Sequence, residues 1–441
     1  MAHPADAGAV AEALRAAPER GLIARGLGRS YGDAAQNAGG RVLSTDRLDR
    51  ILDVDLAAAT ARVEPGVSLH RLMQLLVPLG LFPAVTPGTR QVTIGGAIAA
   101  DIHGKNHHVE GSFASHVIRL ALDTPALGRV EASPIADPDV FWATAGGMGL
   151  TGIIVEATIE LLRIETSLMA VDTERIGDLD ALMARMLDSD DRYRYSVAWI
   201  DSLAHRGALG RAVLTRGDHA PAHDLPAARR GRDRRLEFTA AERLRAPSWA
   251  PPGLLNRWTV AGFNELWFRK APRREEGRLQ TIAAFFHPLD AVADWNRVYG
   301  RPGFVQYQFV VPYGEEAALR TILERLSRAR CASFVTVLKR FGAANPGPLS
   351  FPLPGWTLAV DIPASTGDLA CLLDGLDTLV ADAGGRVYLA KDSRLRPELL
   401  GTMYPDLPRW QAVRARLDPD HRLHSDLARR LWTLTGDRPS P

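Results

Sequence analysis

Glycines gathered at segment joints constrain this chain more than any other feature. The stretch Thr86-Pro87-Gly88-Thr89-Arg90-Gln91-Val92-Thr93-Ile94-Gly95-Gly96-Ala97-Ile98-Ala99-Ala100-Asp101-Ile102-His103-Gly104-Lys105 carries four of them. Gly95-Gly96 before Ala-Ile-Ala-Ala predicts the start of a small-residue helix, where unpaired N–H groups face a ligand anion. Ala97, Ala99 and Ala100 leave room for a large planar group to approach the backbone. An earlier stretch, Arg25-Gly26-Leu27-Gly28-Arg29-Ser30-Tyr31-Gly32-Asp33, spaces its glycines G-x-G-x-x-x-G. The dinucleotide fingerprint needs G-x-G-x-x-G between a strand and a long helix, with an acid about 20 residues on. Here a turn-like run, Ala35-Gln36-Asn37-Ala38-Gly39-Gly40, follows instead. Successive small residues can aim their N–H groups into one concavity that binds phosphate oxygens, and Arg25 and Arg29 bracket it with positive charge. A plain surface turn is the alternative, but it has little need of three glycines interleaved with Ser, Tyr and Asp. Gly146-Gly147-Met148-Gly149 repeats the theme ahead of a strand at Gly152. Two separated glycine-rich loops, with no P-loop and no Rossmann spacing, point to a large bent cofactor lying across one domain.

The remaining composition is that of an ordinary globular protein. The 441 residues suffice for about three domains of ~150 residues or two larger ones. A formal net charge of +2 argues against a nucleic-acid binder, which would show a strong basic excess. Two cysteines, Cys331 and Cys371, exclude a disulfide framework and a cysteine-rich zinc site, and their apolar neighbours predict buried, inert thiols. The N-terminus lacks a basic stretch followed by an apolar core. The most apolar stretch, Leu72 to Val85, is broken by Pro78, Gly80 and Pro83 and is too short to span a bilayer. The expected location is therefore the cytoplasm, with contact to a membrane surface and placement on its periplasmic side left open.

Three segments follow from the patterning: residues 1–165, 166–385 and 386–441. The first alternates short strands and helices. Ile51–Asp55 and Thr60–Glu64 read as a strand pair, and Ser68 caps a helix carrying Leu69, Leu72, Met73 and Leu76 on one face. The second mixes longer helices, such as Glu315 to Leu326, with strands rich in aromatic and β-branched residues. Within it, Gly217 to Arg235 reads as a mobile surface loop with clustered Arg229, Arg230, Arg232, Arg234 and Arg235. A patch facing phosphate head groups is the weaker reading of that cluster. The tail returns to a strand over Arg386–Ala390 and then to helices up to Leu431, with Asp437–Pro441 fraying.

Strand alternation places Gln306 and Gln308 on one face of Phe304–Val311, opposite Val305, Tyr307, Phe309 and Val311. Lys339 shares a face with Val335, Val337 and Phe341, and Thr357, Ala359 and Asp361 share one of Trp356–Ile362. Amides and a lysine beside apolar residues suit a ligand with a polar head and a greasy tail. On alternation alone, a half-solvated sheet face is the plainer account.

The segments Arg25–Asp33, Thr86–His108, Phe141–Ile154, Phe304–Pro312, Pro354–Asp361 and Gly385–Arg394 together resemble the FAD-linked oxidases of the vanillyl-alcohol oxidase type. Within that family the chain is most similar to the branch that oxidises the 2′-hydroxyl of a decaprenylphosphoryl-β-D-ribose. The resemblance implies an α+β, two-domain FAD-binding fold whose substrate domain is built on a largely antiparallel sheet. Residues 1–165 and the 386–441 return would hold FAD, and 166–385 the substrate. It assigns FAD to Arg25, Gly26, Leu27, Gly28, Arg29, Ser30, Tyr31, Gly88, Thr93, Gly95, Gly96, Asp101, Ile102 and His103. Ile154 falls on the adenine half and Tyr388 on the flavin half. Lys105, Trp199, Gln308, Lys339, Phe341 and Lys391 would line a sugar-phosphate pocket, with Lys105 and Lys339 on the phosphate.

The same resemblance implies an alcohol oxidation that begins an arabinose-forming epimerisation. A separate NAD(P)H-dependent reductase would complete it, and oxygen or a quinone would accept the electrons. Lys391, desolvated near other cations, is the expected hydroxyl orienter and base, and His103 is its rival. Several relatives bond flavin to a histidine beside the first-loop serine. Arg29 stands there, so FAD is expected to dissociate. Two departures concern the substrate side: Ala359 replaces a cysteine of close relatives, and Phe286 a common tyrosine. A soluble sugar-alcohol or aldonolactone oxidase of the same fold is the alternative, and flavin binding without catalysis a third. His103, His107 and His108 lack an H-E-x-x-H glutamate, and with Gly104 and Asn106 weakening a helix they read as a loop cluster, not a metal site.

Overall fold

The structure, a computed structural model, describes residues 1–229, 231–240, 244–246 and 255–432. In the N-terminal part, β1 (Leu22–Arg25) and β2 (Arg41–Ser44) form a parallel pair. A second sheet joins β3 (Ile51–Asp55), β4 (Thr60–Val63), β5 (Leu81–Pro83), β6 (Val117–Thr124), β7 (Gly128–Ala132) and β8 (Ile153–Arg163). Its order is β3-β4-β8-β6-β7 with β5 alongside β8, all antiparallel. Ser68 Oγ accepts from Arg71 N at 3.1 Å and caps helix Leu69–Leu76, whose Leu69, Leu72, Met73 and Leu76 are fully buried. Pro78 ends the α-helix in a 3₁₀ turn, Val77–Leu79.

The following strands are β9 (Leu168–Ile176), β10 (Tyr195–Ile200), β11 (Ala212–His219), β12 (Leu244–Arg245), β13 (Arg274–Thr281), β14 (Val292–Ala293), β15 (Phe304–Pro312), β16 (Thr336–Phe341), β17 (Gly355–Pro363) and β18 (Arg386–Val387). Eight of them form one antiparallel sheet in the order β13-β9-β11-β10-β16-β17-β15-β18. β12 and β14 make a separate parallel pair. Helices Glu316–Arg328 and Leu369–Asp382 pack on one another and against the Tyr307/Phe309 face of β15, and one apolar core runs through both large sheets. The architecture is the expected α+β fold with a largely antiparallel second sheet.

The C-terminal segment is shared between the two parts. The expected strand at 386–390 is only two residues long, because Leu389–Lys391 turns into a 3₁₀ helix. β18 stays in the large sheet, whereas helix Asp426–Trp432 lies on the N-terminal part. There Arg430 donates to both Asp33 oxygens, at 3.0 and 2.8 Å, and pairs with Asp392 at 2.8 Å. His424 N and Leu22 O bond at 2.9 Å.

Three local readings need correction. Gly217–His219 ends β11, so the expected loop starts at Ala220, and the buried Ala220 and Leu225 pin it against Leu168. Arg230 of its cluster and the 437–441 tail lie outside the described residues. Cys331 is buried, but Cys371 is exposed, since it faces away from the core in the first turn of helix Leu369–Asp382. His107–Glu110 is a one-turn helix.

Candidate active site

A cavity of about 1520 Å³ separates the glycine loops from one face of the eight-stranded sheet. That exceeds the ~300–1,000 Å³ of most small-ligand pockets. Its first wall is backbone. Among the described residues, the N–H groups of Gly26, Leu27, Gly28, Arg29 and Ser30 have no protein acceptor. Five successive free donors make the anion-binding concavity that the sequence predicts. The loop is held at its far end by Tyr31 N donating to Ala390 O at 3.0 Å. Gly28 has φ +63°, and a Cβ there would lie 2.5 Å from the Arg25 guanidinium.

The second loop works differently from expectation. Helix Ile94–Ala99 begins beside the cavity, but its first N–H groups are already used: Ile94 on Val67 O, Gly95 on Pro65 O (both 2.9 Å) and Gly96 on Thr93 Oγ1 (3.3 Å). The turn at Pro65–Val67 and the Thr93 cap satisfy them, so the free donors come from the first loop. Gly88, Thr93, Gly95, Gly96 and Ile102 still line the cavity and keep that wall thin, and Ile154 lines it farther along.

The opposite wall is made of long side chains. Gln308 Nε2 donates to His103 Nε2 at 2.9 Å and to Thr357 Oγ1 at 3.0 Å, and the Thr357 hydroxyl donates in turn to Phe309 O at 2.8 Å. This pattern puts the His103 proton on Nδ1, which is buried without a protein partner. Burial first, then Lys339 and Lys391, holds the ring well below the usual histidine range, so it is neutral. The side-chain oxygens of Gln306 and Gln308 are also buried and unpaired. Tyr388 stacks on Phe351 (4.6 Å between ring centres) and donates to Ala100 O at 2.8 Å, which ties the C-terminal return to the second loop.

Three lysines converge here. Burial pushes Lys105 and Lys339 each down to about 7, and neither has a carboxylate partner. Lys105 donates to Phe285 O and sits 4.3 Å over the Phe285 ring, while Lys339 reaches Gly104 O at 3.5 Å. Burial also lowers Lys391, to about 8, against the pull of Asp361. Its ammonium lies 5.7 Å from the Tyr31 ring centre. Asp361, buried and raised by desolvation, accepts from Gln306 Nε2 at 2.5 Å. Sequence reading left Asp361 and Gln306 out of the site, although both share the face of Gln308 and Ala359 by alternation.

Two assigned residues do not line the cavity. Asp101 is fully buried; it accepts from Ala114 N (3.0 Å), Asn345 Nδ2 (2.7 Å) and Ser350 Oγ (2.5 Å) and so fixes the turn that presents His103. Phe341 is fully buried with its ring edge-on to His103 at 4.8 Å, a prop behind the site. Trp199 does line the cavity, held by Nε1 donating to Phe334 O at 3.0 Å. The three histidines diverge: His107 Nδ1 accepts from Gly342 N at 3.2 Å, and His108 Nε2 bonds Tyr193 O at 2.9 Å. Among the described residues no His/Cys/Asp/Glu group is arranged to hold a metal ion.

Residues 1–132 match the FAD binding domain family, and 371–431 match the D-arabinono-1,4-lactone oxidase family. Over 425 residues the chain is 46% identical to the decaprenylphosphoryl-beta-D-ribose oxidase of Mycolicibacterium smegmatis, covering 95% of this chain and 91% of that one. The chain belongs to the decaprenylphosphoryl-β-D-ribose oxidase family. A second member-like relative, a protein of the mprA 5′ region of Streptomyces coelicolor, is 44% identical over 375 residues, 83% of this chain and all of that one. The fold is also that of 6-hydroxy-D-nicotine oxidase from Arthrobacter nicotinovorans (TM-score 0.63, 17% identity, 96% of this chain, 90% of the other). Xylooligosaccharide oxidase from Myceliophthora thermophila C1 gives 0.67 at 16% identity over 96% and 89%. The protein is thus an FAD-dependent oxidoreductase acting on a CH–OH group. The residues present fit that cofactor: five free N–H groups suit its pyrophosphate, and the cavity volume of about 1520 Å³ exceeds that of most single-ligand pockets.

Proposed function

We propose that this chain oxidises the 2′-hydroxyl of a polyprenylphosphoryl-β-D-ribose to the 2′-keto sugar, the first half of an epimerisation to the arabinose donor of cell-wall arabinan. The observation that carries it is the pair Lys105 and Lys339, half-buried in the cavity wall without an acid to neutralise them. A phosphate placed between them supplies the missing anion and restores both charges. The apolar strip of Val197, Trp199, Val213, Val335 and Val337 leads away from them and suits a prenyl chain.

Bound FAD supplies the hydride acceptor. The chain's own residues do the rest. Lys391, with its lowered pKa, takes the hydroxyl proton at Nζ, and Asp361 beside it stabilises the ammonium that forms. His103, held neutral, offers its Nδ1–H as a fixed donor and does not compete for that proton. Lys105 and Lys339 hold the phosphate, so the sugar is fixed at one end while Gln308 and Gln306 offer acceptor oxygens to its hydroxyls. Residues 1–165 with the 386–441 return form the cofactor part, and 166–385 the substrate part. Arg29 at the first loop supports dissociable FAD, which acid precipitation would release into the supernatant. Oxygen or a quinone reoxidises the enzyme, a separate NAD(P)H-dependent reductase consumes the keto sugar, and the lipid tail brings the protein into peripheral contact with a membrane.

Anaerobic mixing of the yellow holoenzyme with a polyprenylphosphoryl ribose, and separately with free polyols and aldonolactones, tests the reading. Bleaching by the lipid-linked sugar alone is expected. The match of residues 371–431 to a lactone oxidase family favours the second reading, and bleaching only by small polyols or lactones would establish it instead.

A further inference from the structure

Helix Arg257–Lys270 exposes four large apolar side chains. Val260 and Asn264 are its buried positions, whereas Trp258 is 72% exposed, Leu266 68%, Trp267 46% and Phe263 43%. At 100° per residue, Trp258 and Leu266 lie on the side opposite the buried pair, whereas Phe263 and Trp267 flank that pair on the side that borders the cavity. A helix this short is held by few contacts, and large apolar side chains pointing to water cost stability without return in an isolated protein. Its N-terminus is built to persist nonetheless: Asn256 Oδ1 accepts from Trp258 N (2.8 Å) and Thr259 N (3.2 Å) in a capping box.

The charges on the helix complete the pattern. Arg257, Arg269 and Lys270 are exposed cations. The one acid, Glu265, is neutralised by Arg211 at 2.7 Å and Arg269 at 2.5 Å. Aromatic and leucine side chains beside cations, with no free acid, are the composition of a helix lying in a lipid headgroup layer, where tryptophan is especially favoured. The patch is also continuous with the cavity: Phe263, Trp267 and Lys270 line its mouth, and Phe263 meets Phe334 edge-on at 6.0 Å.

We infer that helix Arg257–Lys270 is a membrane-docking helix, which seats its Trp258/Leu266 face in an anionic bilayer surface so that the cavity mouth opens onto the lipid. This deepens the lipid-linked substrate reading and rests on it. A prenyl tail would pass from the bilayer along Trp267 and Phe263 into the apolar strip without crossing water. The occupant is an anionic lipid surface, because cations rim the patch and the one acid of the helix, Glu265, is already paired with Arg211 and Arg269 and is not free to complement a second copy.

The test is flotation of the holoenzyme with phosphatidylcholine vesicles, with and without phosphatidylglycerol, for the unaltered chain and for the double variant W258E/L266E. Neither position lines the cavity. The expected result is binding to the phosphatidylglycerol vesicles that falls about tenfold or more in the variant and weakens with salt. FAD content, melting temperature and flavin bleaching by a short-chain, water-soluble ribosyl phosphate analogue should stay unchanged. Equal flotation of both proteins, no flotation of either, or self-association of the unaltered chain abolished by W258E/L266E would each overturn the inference. Failure of the substrate reading shows separately, as vesicle binding that depends on Trp258 and Leu266 in a protein whose flavin no ribosyl phosphate bleaches.

Discussion

The two walls of the cavity are built on opposite principles. The glycine-loop wall recognises through backbone: a row of N–H groups whose direction depends on chain conformation and hardly at all on side-chain identity. The sheet wall recognises through the tips of Gln306, Gln308, Lys339 and Asp361, joined by His103, Lys105 and Lys391 from the loops that border it. A backbone wall tolerates almost no added atoms but has no titratable behaviour. A side-chain wall tolerates substitution as a fold but changes charge, affinity and rate with every replacement.

The sharpest way to break this contrast is on the backbone wall. A Cβ at Gly32 would lie 1.7 Å from Asp392 O, a backbone atom that cannot swing away. Gly32→Ala should therefore destabilise the protein by about 3 kcal/mol or more and abolish FAD retention, as read by thermal melting and by the absorbance of the purified protein. A variant that stays yellow and melts normally would show that the loop is not rigid.

On the opposite wall, Lys391→Ala should leave the protein folded and yellow yet slow single-turnover flavin reduction by about 10²–10⁴-fold. The unaltered enzyme should show a pH profile with the same cause. A lysine base must be uncharged, so the reduction rate should climb as pH rises through about 8 and level off above it. An unchanged rate in Lys391→Ala would transfer the base role elsewhere.

Lys339→Met should raise KM for a phosphate-bearing substrate about tenfold or more with little change in FAD content, since one charge-assisted contact is removed. Lys339 also makes a stability prediction. Lys105 and Lys339 bind protons at about 7 when folded but near 10.5 when unfolded. Between those values the unfolded chain holds more protons, so the ligand-free protein should become more stable as pH rises from about 7 toward 10.5. Urea midpoints across that range should show the slope, and Lys339→Met should reduce it.

The smallest effect is expected at Ala359, which is nearly buried on the sheet wall. Ala359→Cys in a Cys371→Ser background should change activity by about twofold or less while adding one thiol that reacts with a small thiol reagent from the cavity. Protection of that thiol by bound substrate would place the substrate against β17.

Much of this organisation is legible in the amino-acid sequence. The first-loop glycines predicted a row of free backbone donors, and five of them are found. Alternation grouped Gln306 with Gln308, and Ala359 with Asp361, on one face of their strands and set Lys339 beside Val337, because a strand's period of two leaves no third choice, and those faces line the cavity. Ser68 marked its helix start because a hydroxyl at that position bonds the N–H three residues on. The same local logic failed at Gly95-Gly96, where partners distant in sequence, Pro65 and Val67, consume the donors. It failed again at Cys371, where an apolar neighbourhood in sequence is not one in space, while Asp101, given to FAD by the family resemblance, turns its side chain toward Asn345 and Ser350, some 240 residues away.

The sequence by itself determined which backbone segments could cradle an anion and which residues share a strand face, since both follow from local sterics and short periodicities. Only the tertiary structure decided that Lys391 stands beside Asp361, that burial with Lys339 and Lys391 holds His103 neutral, and that helix Arg257–Lys270 turns its tryptophans outward beside the cavity mouth. Those facts depend on how elements far apart along the chain pack together, and on how much water that packing removes, which no short-range pattern encodes.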